Sequence, residues 1–170
     1  MMSRREFSTA TIAAVGTFAA TREVSGAQQP AAASTAPAPL KSEFLMDVIL
    51  DVGAPQNLGS RLIVPVTGGT FEGPKLKGTA LPGGGDWIQV RPDGSSELSV
   101  RVTLKTDDEQ LIYLTYRGVM YTPKGGELYW RTTPVFETGS AKYDWLTRII
   151  TVGVGRRVPN KAAYSIYQIL

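Results

Sequence analysis

The sequence predicts an all-β domain, a single antiparallel barrel of about eight or nine strands, behind an N-terminal export segment. Three observations predict it. Between Glu97 and Lys105, Leu98, Val100, Val102 and Leu104 alternate with Ser99, Arg101, Thr103 and Lys105, the period of two of a half-buried strand. Similar short segments recur between turns rich in Gly, Pro and Asp, and no stretch of about a dozen residues after Ser42 carries a helical stripe. The last segment, Ala163 to Leu170, reads as a strand that can close against an early one and remove the free edges.

The chain opens on Ser3-Arg4-Arg5-Glu6-Phe7, which looks like a twin-arginine export signal. An uncharged stretch from Ser8 to Thr21 follows, too short for a membrane span of roughly 20 apolar residues. Ser25-Gly26-Ala27 then offers small residues for a signal peptidase. These features assign residues 1–27 to a signal peptide and predict a periplasmic or secreted protein. Its partners would include the twin-arginine machinery and signal peptidase, and it would have no stable transmembrane anchor. Residues 28–42 are dominated by Ala, Pro, Ser and Thr and read as a flexible linker, because they cannot bury enough surface to offset the entropy of ordering. The barrel is assigned to residues 43–170.

Phe44 to Val52 alternates with apolar character on both faces, and Gly53-Ala54-Pro55 breaks it. Arg61 to Val66 is a strand whose Pro65 predicts an edge or a bulge. Thr67 to Pro74 reads as turn chemistry, followed by a short strand from Leu76 to Leu81. Pro82-Gly83-Gly84-Gly85 forms a loop that delivers Asp86 and Trp87 to the strand ending at Arg91, and Pro92-Asp93-Gly94 is a turn. After the strand from Glu97 to Lys105, Thr106 to Glu109 turns the chain into Leu111 to Arg117. Pro123 to Gly126 turns it into Leu128 to Phe136. Tyr143-Asp144-Trp145-Leu146 reads as one helical turn before Ile149 to Val154.

Composition narrows the chemistry. The 170 residues contain no Cys and no His, which excludes disulfides, thiolate metal sites, Ser-His-Asp catalysis and His-ligated metals or haem. Acid–base work would fall to Asp, Glu, Lys or Tyr, with no cofactor and no metal. The net charge of +3 drops by one when the signal departs with Arg4, Arg5, Arg22, Glu6 and Glu23. So mild a surplus, without a basic stripe, argues against nucleic acid. Asp107-Asp108-Glu109 lacks the remaining ligands of a calcium loop and reads as a hairpin turn. Gly68-Gly69 and the Gly153/Gly155 pair are not phosphate loops, because no helix follows them.

Several motifs in order resemble the domain of unknown function 3237 family. They are Thr67 to Gly78, Leu81-Pro82-Gly83-Gly84-Gly85-Asp86-Trp87, Leu98 to Leu104 with Thr106-Asp107-Asp108, and Arg131-Thr132-Thr133-Pro134 with Phe136-Glu137. Tyr143 to Leu146 and Val152-Gly153-Val154-Gly155-Arg156-Arg157 complete the set, so the resemblance covers roughly Phe44 to Leu170. It implies a small barrel of lipocalin-like (calycin-like) shape. Most members of that family have no assigned reaction, and some fungal ones act in natural-product pathways with ring-forming roles. The pattern usually has Asp where this chain has Ser99, and Asn where it has Thr147.

The candidate catalytic residues are Asp86, Arg101 and Arg131, and the candidate ligand-binding residues are Trp87, Tyr129, Tyr143 and Trp145. Asp86 beside an indole could serve as a base of raised pKa, or simply cap the turn. Arg101 would hold an oxyanion if its strand face lines a polar cavity, and is a surface charge if the apolar face is inside. The aromatics could line a pocket for a planar ligand or be packing. Asp86, Trp87, Arg101 and Arg131 are expected to converge at one barrel mouth. Two functions follow: a cofactor-independent isomerase, cyclase or lyase acting on a small aromatic or polyketide-like molecule, and a non-catalytic periplasmic binder of a small ligand. The sequence leaves a homo-oligomer open.

The export reading has a direct check. Exchanging Arg4 and Arg5 together for Lys is expected to strand the protein in the cytoplasm, read by immunoblotting of cell fractions. Undiminished appearance in the periplasm would contradict it.

Overall fold

Among the described residues, ten strands follow one another in chain order: β1 (Ser42–Val52), β2 (Gln56–Asn57), β3 (Arg61–Glu72), β4 (Lys77–Ala80), β5 (Gly85–Val90), β6 (Ser96–Thr106), β7 (Leu111–Tyr121), β8 (Tyr129–Glu137), β9 (Thr151–Val158) and β10 (Lys161–Ile169). A single 3-10 turn, Asp144–Arg148, stands between β8 and β9, where the sequence predicts a helical turn. This is a computed structural model, and it describes residues 38–170. The signal segment assigned to residues 1–27, and the linker as far as residue 37, lie outside the described residues.

Every pairing is antiparallel, and the sheet closes on itself. β1 pairs with β10 on one side and with β3 on the other. From β3 the ring continues through β4 and β5 to β6, then through β7, β8 and β9 back to β10. β4 and β5 share one position. β4 bridges β3 to β6 at Thr70–Glu72 and Leu104–Thr106, and β5 does so at Arg61–Pro65 and Ser96–Arg101. The result is an eight-position barrel, with β2 as a short ribbon on β3.

Several boundaries differ from the sequence reading, and β7 runs on past Arg117 to Tyr121. Thr67 to Glu72, read as a turn, continues β3, because Gly69 lets the β1 backbone at Ile49 and Leu50 come closer than any Cβ allows. β9 begins at Thr151, and both it and β10 run beyond the predicted segments. Pro65 does sit beside an irregularity: the register between β1 and β3 shifts between the Asp51–Gly68 and Val52–Val66 pairs, and Pro65 directly precedes Val66.

The alternation in β6 sets the inside of the barrel. Leu98, Val100, Val102 and Leu104 are almost wholly buried, and Arg101 on the opposite face is exposed. Met46, Val48, Phe71, Ile112, Leu114, Phe136 and Ile166 fill the same interior from the other strands. The 3-10 turn closes the end that carries the β6–β7 hairpin, with Tyr143 and Leu146 buried. There Asp108 accepts hydrogen bonds from Thr106 Oγ1 (2.6 Å), Lys142 Nζ (2.7 Å) and the Tyr143 hydroxyl (2.9 Å), which hold its carboxyl well below the usual range. The Asp107-Asp108-Glu109 segment is therefore a hairpin turn that tethers the 3-10 element.

The β8–β9 seam is the thinnest part of the ring, paired only at Arg131–Val154 and Thr132–Gly153. It closes because β9 carries glycine where β8 carries bulk. The Trp130 ring lies against Gly155 where a Cβ would overlap it. Gly155→Ala is therefore expected to lower stability by about 1–3 kcal/mol, as overpacking does. Gly139→Ala, in open space, should stay within about 0.5 kcal/mol of wild type. Urea unfolding midpoints read both. Equal effects would contradict the seam packing.

Candidate functional site

The pleat assigns each strand residue a side. Asp86 stands opposite Val64 of β3 and Val100 of β6, and directly paired residues share a face, so Asp86 faces the interior. Trp87, the next residue, pairs with Ile63 and faces outward. Of the glycines before them, Gly84 serves a backbone contact, lying against the Arg101 carbonyl closer than a Cβ would permit, and Gly83 supplies a positive φ to the turn.

Asp86 reaches a cavity of about 160 Å³ at the barrel end away from the 3-10 turn. Its lining is aliphatic except for Asp86 and three aromatic residues, Tyr116 of β7, Trp130 of β8 and Tyr164 of β10. The Tyr164 ring meets Tyr116 at 5.0 Å and Trp130 at 5.1 Å between centroids, both edge to face. The hydroxyl of Tyr116 and the indole Nε1 of Trp130 are buried beside the Tyr164 hydroxyl and make no hydrogen bond of good geometry. Wider depressions of about 610 and 540 Å³ lie elsewhere, lined largely by polar and charged residues such as Arg91, Asp93, Arg117 and Arg131. They are surface hollows, and the interior cavity is the one that combines apolar walls with a desolvated acid.

Burial raises the Asp86 carboxyl from 3.8 to about 6, opposed by the Ser99 amide, which donates to Asp86 Oδ1 at 3.0 Å. The β5–β6 ladder makes room for this contact: it pairs at Asp86–Val100 and resumes at Gln89–Glu97. Burial also pushes both phenols up, Tyr116 most strongly, and the Asp86 charge adds to each. Both tyrosines therefore stay protonated at any ordinary pH.

The expected convergence of Asp86, Trp87, Arg101 and Arg131 at one mouth does not occur. Arg101 is exposed on the outer face, its guanidinium 5.1 Å from the centre of the Trp87 ring, which also lies outside. Arg131 lies outside over Tyr129 at 5.0 Å and donates from Nη1 to the Trp130 carbonyl at 3.0 Å. Tyr143 is buried at the plugged end, and Trp145 is half-buried beneath Lys75 Nζ at 5.4 Å. For Arg101 and Arg131 the physical reason is the same: the apolar series of each strand takes the inside and turns the intervening Arg outward. Of the predicted site residues only Asp86 lines the cavity. The residues beside it, Tyr116, Trp130 and Tyr164, share strand faces with Leu114, Thr132 and Ile166, so a tyrosine or tryptophan in line with a buried series was the signal.

Comparison with known proteins places this geometry. The family model described as "Protein of unknown function (DUF3237)" matches residues 40–169. The chain belongs to this family. A UPF0311 protein of Clostridium acetobutylicum is 36% identical over 131 residues, 69% of this chain and 83% of that protein. A crystal structure described as a beta-barrel like protein from Acinetobacter baumannii superposes with a TM-score of 0.75 at 34% identity, covering 80% of this chain and 99% of that one. A structure described as an enzyme from Penicillium herquei shares the fold, with a TM-score of 0.66 at 23% identity over 80% of this chain and 98% of that one.

Both departures from the DUF3237 pattern lie outside the cavity. Ser99 is on the outer face opposite Arg117 and reaches the site only through its amide, which any residue but proline supplies. Thr147 is exposed in the 3-10 turn, where its hydroxyl donates to the Asp144 carbonyl at 2.7 Å.

The Asp86 environment sets a pH dependence. Because its folded pKa lies above its unfolded value, the native state binds this proton more tightly, and stability falls as pH rises from about 4 through about 6, then levels off. A shift of this size corresponds to about 3 kcal/mol. Asp86→Asn keeps the shape and the acceptor for Ser99, so at about pH 8 it is expected to be more stable than wild type by up to about 3 kcal/mol. The gain should vanish near pH 4. The difference between the two chemical-denaturation curves reads it, and a variant less stable at pH 8 would contradict the desolvated carboxylate.

Proposed function

We propose that this protein is an exported barrel that binds a small, largely apolar molecule in the interior cavity and moves a proton on it, with Asp86 as the base and no cofactor. The observation that carries the reading is the carboxylate in the cavity wall. An acid raised to about 6 is ionised at neutral pH and is a stronger base than a solvated aspartate. The neighbouring phenols and indole can donate to oxygen as charge develops there. The arginines take no part, since they lie outside. The polyketide-like ligand of the sequence reading narrows to something smaller, because about 160 Å³ does not hold fused rings. Isomerisation fits this equipment better than ring closure of a long chain.

A non-catalytic periplasmic binder is the second reading. The otherwise aliphatic lining favours it. Export belongs to both readings and rests on the segment around Arg4 and Arg5.

The test is solvent-deuterium incorporation, followed by NMR, into a panel of single-ring carbon acids, both neutral and anionic. Wild type is expected to accelerate exchange for at least one of them, with a rate that rises through about pH 6. Asp86→Asn should lose about 100-fold or more while retaining binding. Exchange undiminished in Asp86→Asn would overturn the role of the carboxylate. Binding without exchange across the panel would establish the binder.

A further inference from the structure

Three properties of the cavity define what fits it. The first is size. About 160 Å³ is close to the roughly 150 Å³ apolar cavity that takes benzene, so the occupant has one six-membered ring. The second is charge. Asp86 is the one charged residue in the lining. An anionic ligand would meet that carboxylate with no cation to offset it, at a heavy desolvation cost. The third is hydrogen bonding. The Tyr116 hydroxyl and Trp130 Nε1 are buried beside the Tyr164 hydroxyl without a hydrogen bond of good geometry, and the indole N–H can only donate. A buried donor left unmet is costly, so the complementary ligand brings an acceptor. An ammonium ion could pair with Asp86 and sit among the rings, but it offers no acceptor and would leave both donors unmet. A carbonyl oxygen has two lone pairs for two donors. It also acidifies the C–H beside it, which hydrocarbons and alcohols do not do.

We infer that the substrate is an uncharged, single-ring β,γ-unsaturated ketone whose oxygen accepts hydrogen bonds from the Tyr116 hydroxyl and Trp130 Nε1, while Asp86 takes a proton from the carbon between the carbonyl and the C=C bond. This rests on the proton-transfer reading and adds the substrate class and the two oxygen-binding residues. The step balances without a co-reactant. The carboxylate of Asp86 accepts the proton, and the C–H electron pair becomes the C=C bond of a dienolate. The carbonyl π pair moves onto oxygen, where the two donors stabilise it. Return of the proton to the far end of the dienolate yields the conjugated enone and restores the carboxylate.

The probe is a β,γ-unsaturated cyclohexenone, whose conversion to the conjugated isomer is read by ultraviolet absorbance at about pH 8, where Asp86 is ionised. Cyclohexanone, cyclohexanecarboxylate, cyclohexylamine and toluene serve as NMR-detected binding probes. Wild type is expected to isomerise the enone and to bind cyclohexanone at least tenfold more tightly than the carboxylate or the amine. Tyr116→Phe keeps the ring and removes a hydroxyl that makes no hydrogen bond of good geometry, so it should fold. It is expected to slow isomerisation about 100-fold, the loss typical of one oxyanion donor, while leaving toluene binding unchanged. Tighter binding of the amine or the carboxylate, or full activity in Tyr116→Phe, would overturn the substrate class or the donor role. Binding of cyclohexanone without isomerisation would overturn the catalytic step. If the exchange panel responds only to anionic acids, this inference falls and the proton-transfer reading stands. If Asp86→Asn isomerises as wild type does, the proton-transfer reading itself falls.

Discussion

Side chains alternate across the pleat of every strand, and in a closed barrel one of the two faces has no water. That constraint sorts the residues of this protein more decisively than any single contact. Leu98, Val100, Val102 and Leu104 go inside, so Arg101 between them must go out. The same sorting sends Arg117 and Arg131 outward from strands whose other faces carry Leu114, Tyr116, Trp130 and Thr132. Asp86 is the exception. Its pairing with Val64 and Val100 commits it to the inner face, and the Ser99 amide offsets part of the cost of placing a carboxylate there. An exception that is costly to folding and leaves an acid poised near neutrality is the pattern of a functional residue.

The two ends of the barrel divide the labour. At one end, Tyr143 and Leu146, at the start of and within the 3-10 turn, plug the interior, and Asp108 ties that plug to the β6–β7 hairpin. At the other, the side chains stop short of filling the space, and Asp86, Tyr116, Trp130 and Tyr164 surround what remains. Glycine makes the arrangement possible at the seam, where Gly155 gives the Trp130 ring its place. Barrel closure and cavity shape are thus coupled through the same indole.

The architecture was largely legible in the sequence because a period of two is a local signal. Most strands, the helical turn at Tyr143 to Leu146 and the irregularity near Pro65 are found where the pattern puts them. Membership of the DUF3237 family was legible for the same reason, through motifs that are contiguous in the chain. The site was legible in one residue only. Asp86 and Trp87 look like a pair on paper, but neighbours along a strand point to opposite faces, so they cannot both line the cavity. The partners Asp86 does have come from β7, β8 and β10, and only the register between distant strands brings them together. Tyr129 and Arg131, both candidates from the sequence, share the outer face of β8, and the residue between them, Trp130, is the one inside.

The central claim is that Asp86 is a desolvated carboxylate inside an apolar cavity, and its own titration tests that most directly. With the side-chain carboxyl carbon of aspartate isotopically labelled, the Asp86 resonance, assigned by its loss in Asp86→Asn, is followed by NMR across the acid range. A midpoint at about 6 is predicted. A midpoint at or below the ordinary 3.8 would place the carboxylate in water or beside a cation and contradict the account.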